Sequence, residues 1–391
     1  MKTAHSDAPV ATPVAERFRV ACVFGTRPEI IKFAPVIQEL RRRDHLTPLN
    51  ICTSQHTDLA LPFLSGFGLE VHHDLKVMRP GQSLNVLASR VLEGLDAVLE
   101  QERPDFLLVQ GDTTSALAGA MAAFQRDIPV GHIEAGLRSG DLRSPFPEEM
   151  NRRLISRLAT VHFAATQRNR EALLAEGVEA ETIFVTGNPI VDALQQVLTH
   201  SAEEEHPILR ATEGTRRIVL TAHRRENFAS NLEGYFQVLR DFVERHSDVS
   251  LIFPVHPNPN VRRLAAQHLE GRERIHLLDP MPYPVFMRLL SRAWLIVSDS
   301  GGIQEEAPTL GVPLLVIREN TERPESIECG AARLIGEDPR VLAAQLETLG
   351  APDQDDFGGR RVQNPFGDGR SAVRIADAIS LTLTARTSNR L

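Results

Sequence analysis

LIVSDSGGIQEE, residues 295–306, runs from a short apolar stretch through a turn with two glycines into the start of a helical pattern. Strand, glycine turn, helix is the repeating unit of parallel α/β proteins. The glycines let backbone come close to a ligand. The helix start adds unpaired N–H groups and the positive end of the helix dipole. Together Ser300, Gly301 and Gly302 suit a diphosphate held without a metal. Without a ligand, the same residues read as a helix start with Ser300 as its N-cap. Glu305 or Glu306, one turn in, suits hydrogen bonds from ribose hydroxyls or, alternatively, is surface charge favoured by the dipole.

The same unit recurs along the chain. In the first half, strands are expected at 18–24, 49–54, 106–111, 129–134, 161–166 and 183–188, with helices over 28–43 and 83–102. The second helix carries apolar residues at 84, 87, 91, 95, 98 and 99, close to a 3.6 period. A polar stretch, THSAEEEHPILRATEGTR (199–216), reads as a linker. A second set of strands follows at 217–223, 251–256, 274–280, 295–302, 313–318 and 332–336, then a helix over 371–383 with Val373, Ile375, Ala378, Ile379 and Leu381 as its apolar face. The expected division is a disordered tail (1–17), two Rossmann-like domains (18–200 and 201–365) and a C-terminal segment (366–391). The fold class is α/β, two doubly wound domains with a cleft between them. Nearly every strand ends in a polar or glycine-rich turn, and doubly wound sheets bind ligands at that edge.

Bulk properties narrow the partners. A chain of 391 residues exceeds one ordinary domain. A net charge of −8 argues against nucleic acid and anionic membranes as partners, and two Tyr with one Trp offer little for base stacking. Three dispersed cysteines with no CxxC point to neither a zinc site nor a disulfide framework, and Cys22 reads as a small core residue. The Ala- and Pro-rich N-terminus lacks the apolar core of a secretory signal, and no apolar stretch approaches the ~18–20 residues of a membrane span. A soluble cytoplasmic protein is expected.

The chemistry gathers at the strand ends. FGTRPEIIK (24–32) places Arg27 and Lys32 where a phosphate fits, with spacing that matches neither GxGxxG nor a P-loop; solvated helix charges are the alternative. QGDTTSA (110–116), HIEAGLRSG (132–140) and SPFPEEMNRR (144–153) each bring a carboxylate to a junction: Asp112, Glu134 and Glu148, with Glu149 adjacent. Asp112 is equally placed to cap a helix beginning at Thr113, and Glu148 to be first-turn charge after Pro147. Glu134 sits in a strand end between apolar neighbours, where a carboxylate needs a partner or a raised pKa and suits proton transfer. His223, in TAHRREN (221–227), suits contact with a phosphate or leaving group; His256, in PVHPNP, is similarly located, and either can be structural.

These motifs, in this order and with TGNP and NPFGDGRSA added, closely resemble the non-hydrolysing UDP-N-acetylglucosamine 2-epimerases over about residues 19–380. The resemblance implies a glycosyltransferase-B-like architecture whose C-terminal helix crosses back to the first domain. It implies interconversion of UDP-GlcNAc and UDP-ManNAc without NAD or metal, usually by a homodimer. By motif, Asp112, Glu134, Glu148 and His223 match the family's catalytic set, and Arg27, Lys32, Ser300, Gly301, Gly302 and Glu306 its UDP-sugar contacts. Many bacterial members are activated by a second UDP-GlcNAc through a Gln-His pair and a downstream Arg-Gln pair. Here Gln55, His56 and Gln82 are kept, but Gly81 stands in place of the Arg, leaving Arg79 as its nearest substitute.

The residue types fit that chemistry independently. The C2 proton of the sugar is not next to a carbonyl, so its removal becomes feasible only as UDP departs from C1. That calls for acid/base groups on both faces of C2, stabilisation of the leaving diphosphate, and a closed cleft. Rival readings are a hydrolysing epimerase, an epimerase of the same family acting on a UDP-diacetamido-uronic acid, a glycosyltransferase with a UDP-sugar donor, and a non-catalytic sugar-nucleotide-binding regulator. The last two leave the three carboxylate junctions without a role.

Overall fold

The computed structural model describes residues 17–55, 67–199, 206–222, 232–351 and 362–388. Its first sheet has seven strands: β1 (Phe18–Phe24), β2 (Leu46–Cys52), β3 (His73–Asp74), β4 (Phe106–Gln110), β5 (Val130–Ala135), β6 (Val161–Ala164) and β7 (Ile183–Val185). The second has six: β8 (Arg216–Thr221), β9 (Val249–Pro254), β10 (Ile275–Leu278), β11 (Leu295–Ser298), β12 (Leu314–Val316) and β13 (Ala332–Leu334). Strand order is β3-β2-β1-β4-β5-β6-β7 in one and β10-β9-β8-β11-β12-β13 in the other, with parallel pairing throughout. Each order reverses direction once, between β1 and β4 and between β8 and β11. These are the switch points at which doubly wound sheets open a crevice.

Alternation along β1 explains why FRVACVF forms a central strand. Val20, Cys22 and Phe24 join one apolar cluster and Ala21 and Val23 another, so both faces are covered. The first of these clusters continues into the second domain through Val219, Ile252, Ile296 and Ile303. The two sheets therefore meet over shared apolar packing as well as across a polar cleft.

All twelve expected strands form, with ends shifted by a few residues. The additional β3 is a two-residue edge strand pairing His73 with Ile51, and VHHD carries no apolar run to announce it. In the helix Leu84–Glu102, Leu87, Val91, Leu95, Val98 and Leu99 are buried, but Leu84, at its first turn, is 43% exposed. The linker reading of 199–216 holds less well. Residues 200–205 lie outside the described residues, and the helix Pro207–Ala211 buries Ile208 and Leu209, whose carbonyl accepts from Arg217 Nη2 at 3.0 Å. Of the expected disordered tail, residues 1–16 lie outside the described residues. Among the described residues no helix is long and apolar enough to cross a membrane, and the three cysteines are unbridged.

The final helix, Ser371–Ser388, is longer than the periodicity indicates, and its buried face keeps Ile375, Ala378 and Ile379 of the expected stripe. Ala372, Ile375, Ala376, Ile379 and Leu383 are buried against the helices Arg27–Arg41 and Pro189–Thr199, whereas Leu381 is exposed. Its first amides, on Ser371 and Ala372, donate to the Asp192 carboxylate at 3.2 and 2.9 Å. A carboxylate from another helix thus does the work of an N-cap. Replacing Asp192 with Ala should lower stability by about 1–2 kcal/mol in urea unfolding, with Asn restoring most of it; an unchanged midpoint would remove Asp192 from this role.

Candidate active site

β5 carries the strongest local anomaly. Ile133 pairs with Phe163 and Ala135 with Ala164, so Glu134 between them is passed over by the ladder. Its φ is +66°, the left-handed region that a glutamate rarely adopts, at a cost of about 1–3 kcal/mol. Such a bulge re-aims one side chain at a strand end. The Glu134 carboxylate is buried, ion-paired with Lys32 from the first helix, and accepts from Asn188 Nδ2 at 2.8 Å. Lys32 Nζ also lies 3.1 Å from Glu305 Oε2, in the second domain. Burial disfavours both charges, but the mutual attraction of Glu134 and Lys32 outweighs it. With Arg323 adding to the field, Glu134 is held well below the usual carboxylate range, and Lys32, with Glu305, above the usual lysine range.

His132, one residue earlier, belongs to the scaffold. Burial pushes its imidazole down to about 3, so the ring is neutral, and Nε2 lies 2.8 Å from the Gly111 carbonyl in the QGD turn. Arg138 is likewise occupied, with two bonds of 2.8 Å to Glu176 and one of 3.0 Å to Ser156.

The second domain answers with the helix Gly301–Leu310. Ser300 occupies the N-cap position, but its side chain makes no cap hydrogen bond, so the helix-start reading lacks its expected contact. Glu305 and Glu306 are both buried, which overturns surface charge as their explanation. Glu305 accepts from Arg323 Nε at 2.6 Å. A Cβ on Gly301 would stand 2.7 Å from Arg323 Nη1, so any other residue at this helix start would displace the guanidinium. Glu306 accepts from the Tyr283 hydroxyl at 2.8 Å, and Arg27, the first residue of its helix, faces both. Burial pushes the Glu306 carboxyl up to about 7, against the pull of Tyr283.

Asp112 does not cap the neighbouring helix. Thr113 does, accepting from Ala116 N at 3.0 Å. Asp112 is instead paired with Arg152, at 2.7 Å and 2.9 Å. Glu148 is the first residue of the helix Glu148–Leu158 and half-buried, while Glu149 is fully buried and accepts from Ser139 N at 2.9 Å and Arg152 Nη1 at 3.1 Å. Glu149 therefore ties the segment after β5 to this helix. Arg152 in turn feels Arg323 and Glu322, which links the Asp112 group to the Glu134 group.

His223 and His56 lie outside the described residues. Gln55 accepts from Ser115 Oγ at 2.9 Å, Gln82 Oε1 is buried without a hydrogen-bond partner, and Arg79 is exposed. His256 Nδ1 accepts from Asn258 N at 3.2 Å, a local turn contact. Arg323, Arg152, Tyr283 and Asn188 carried no individual role in the sequence. Position would have found two of them: Arg323 follows β12 and Asn188 follows β7, at the same sheet edge as the other junctions.

The family model for UDP-N-acetylglucosamine 2-epimerase matches residues 38–380. The UDP-N-acetylglucosamine 2-epimerase of Salmonella typhimurium is 44% identical over 370 residues, covering 92% of this chain and 98% of that protein. The Bacillus subtilis protein of the same name is 40% identical over 368 residues, covering 93% and 95%. Among solved structures, the Neisseria meningitidis UDP-GlcNAc 2-epimerase bound to UDP-GlcNAc superposes with a TM-score of 0.86 at 38% identity, covering 92% of this chain and 99% of that one. A glycosyltransferase of kitacinnamycin, 16% identical with a TM-score of 0.63, shares the glycosyltransferase-B-like fold alone. With a family model matched over most of its length and relatives 40–44% identical across both sheets, the chain belongs to the UDP-N-acetylglucosamine 2-epimerase family.

Proposed function

We propose that the protein interconverts UDP-GlcNAc and UDP-ManNAc by eliminating UDP and adding it back, without hydrolysis, NAD or metal. A base removes the C2 proton as the C1–O bond breaks and its electron pair leaves with UDP, giving 2-acetamidoglucal. UDP oxygen then re-adds to C1 while a proton reaches the opposite face of C2. One observation carries this reading: the buried Glu134 is ion-paired with Lys32, Lys32 reaches Glu305, and Glu305 holds Arg323 against the glycine start of the helix Gly301–Leu310. A base and an oxyanion-stabilising helix start are thereby brought to one cleft. Asp112, Glu148 and His223 complete the acid/base set. Arg27, Lys32, Ser300, Gly301 and Gly302 take the diphosphate, and Glu306 the ribose. The named relatives, and the Neisseria structure with UDP-GlcNAc bound, support the substrate class. Gln55, His56 and Gln82 form the proposed activator site. A homodimer is also proposed; Leu84, Val86, Phe124, Met150 and Leu154, on three successively packed helices, are exposed apolar side chains suited to a partner.

Incubation with UDP-GlcNAc in D2O should place deuterium at C2 of both UDP-sugars, and Glu134→Gln should slow this at least a hundredfold while UDP still binds. Free ManNAc without UDP-ManNAc would assign the hydrolysing reaction instead, and no exchange by intact enzyme would end the epimerase reading for this substrate. Ribose hydroxyls donate, so Glu306 must be ionised to accept from both. With its pKa near 7, UDP should bind more tightly as pH rises from 6 to 8, releasing a proton on binding. Glu306→Gln should remove that dependence and weaken binding about tenfold; a flat profile in the wild type would exclude the contact. Sedimentation should give the mass of two chains, and charging Phe124 and Leu154 should halve it.

A further inference from the structure

The backbone that returns from the second domain to the first passes directly over the Glu134 partner Asn188. Asn364 Nδ2 donates to the Glu305 carbonyl at 3.2 Å and to Thr309 Oγ1 at 2.6 Å, anchoring this segment on the helix Gly301–Leu310. Asn364 Oδ1 accepts from Phe366 N at 2.8 Å, and the Phe366 carbonyl accepts from Asn188 N at 2.6 Å. Closeness is enforced by Gly187, where a Cβ would stand 2.6 Å from Ser371 Oγ and 3.1 Å from the Phe366 carbonyl. Asn188 has two side-chain ends with separate tasks. Its Oδ1 accepts from Ile190 N at 3.1 Å, capping the helix Pro189–Thr199, and its Nδ2 donates to Glu134 Oε2 at 2.8 Å.

We infer that Asn188 is a positioning residue for the bulged Glu134 carboxylate, and that the 364–366 segment sets Asn188 in place by spanning the two domains. The inference rests on the epimerase reading and names how that site is held. Lys32 alone cannot orient Glu134: an ammonium is a point charge with rotatable donors, and this one is shared with Glu305. A planar amide fixed at both ends supplies direction. The charged groups facing Glu134 are Lys32 from the first helix and Arg323 from the loop after β12, with Glu305 reached through Lys32, and the titratable His132 on its own strand is neutral. None of these replaces a lost amide donor.

The test uses variants that keep the cap. Ser and Asp at position 188 both preserve an N-cap acceptor, but Ser does not reach Glu134 and Asp offers it no donor. Measured by C2 deuterium exchange, Asn188→Ser and Asn188→Asp should each lower kcat about tenfold to a hundredfold with KM within threefold of wild type. Asn364→Ala, which touches neither Glu134 nor Asn188 directly, should lower kcat in the same way by a smaller factor, again with KM within threefold of wild type. Folded variants with wild-type kcat would make Asn188 a helix cap only, and wild-type kcat in Asn364→Ala would sever the segment from the site. Wild-type exchange is the internal control: its absence defeats the epimerase reading, whereas its presence with unaffected variants defeats this inference alone.

Discussion

The structure is organised around keeping one carboxylate charged where water is scarce. Glu134, with a side chain 7% exposed, lies in an alternating series with Lys32, Glu305, Arg323, Glu322 and Arg318. Each member offsets the desolvation of its neighbours, and removing one would leave a buried charge without its counterpart, a loss of about 3–5 kcal/mol. The series starts in the first domain and ends in the second. Lys32, from the same domain, supplies the larger part of what holds Glu134 ionised, and Arg323 adds to it from the second domain.

The fold makes that assembly possible with unremarkable parts. The turns after β1 and β4 bring Arg27 and Asp112 to one switch point, and the turn after β11 brings Ser300 to the other. Glu134 shares left-handed backbone with Ser54, Lys76, Arg103 and Asp127 among the described residues, but at Glu134 it falls inside a strand, and the surroundings are densely tied. His132 holds the QGD turn, Glu149 holds the segment after β5, and Glu29 accepts from Gly25 N, Thr26 N and Thr113 Oγ1 at 2.7–2.9 Å. Local strain persists where the environment over-determines it.

Much of this was legible in residue order. Apolar runs such as FRVACVF, buried on both faces, announce central parallel strands, and glycine or polar turns after them locate the sheet edge that carries chemistry. What escaped the sequence depended on distance in the chain. Arg323 meets Glu305 across a loop, Tyr283 meets Glu306, and Arg152 meets Asp112 some forty residues away. The left-handed backbone at Glu134 left no trace in composition, because nothing in HIEAG marks which residue the ladder skips.

The closing helix, whose Ile375, Ile379 and Leu383 share a cluster with Val20, Phe33 and Ile37, gives the protein a particular order of completion during synthesis. The first domain's strands leave the ribosome early, but one face of its core stays uncovered until residues 372–383 are made. The second domain, built from a continuous stretch, finishes sooner. A ribosome that stops short of residue 371 thus releases a chain with a sound second half and an open, sticky first half, the species on which chaperones act.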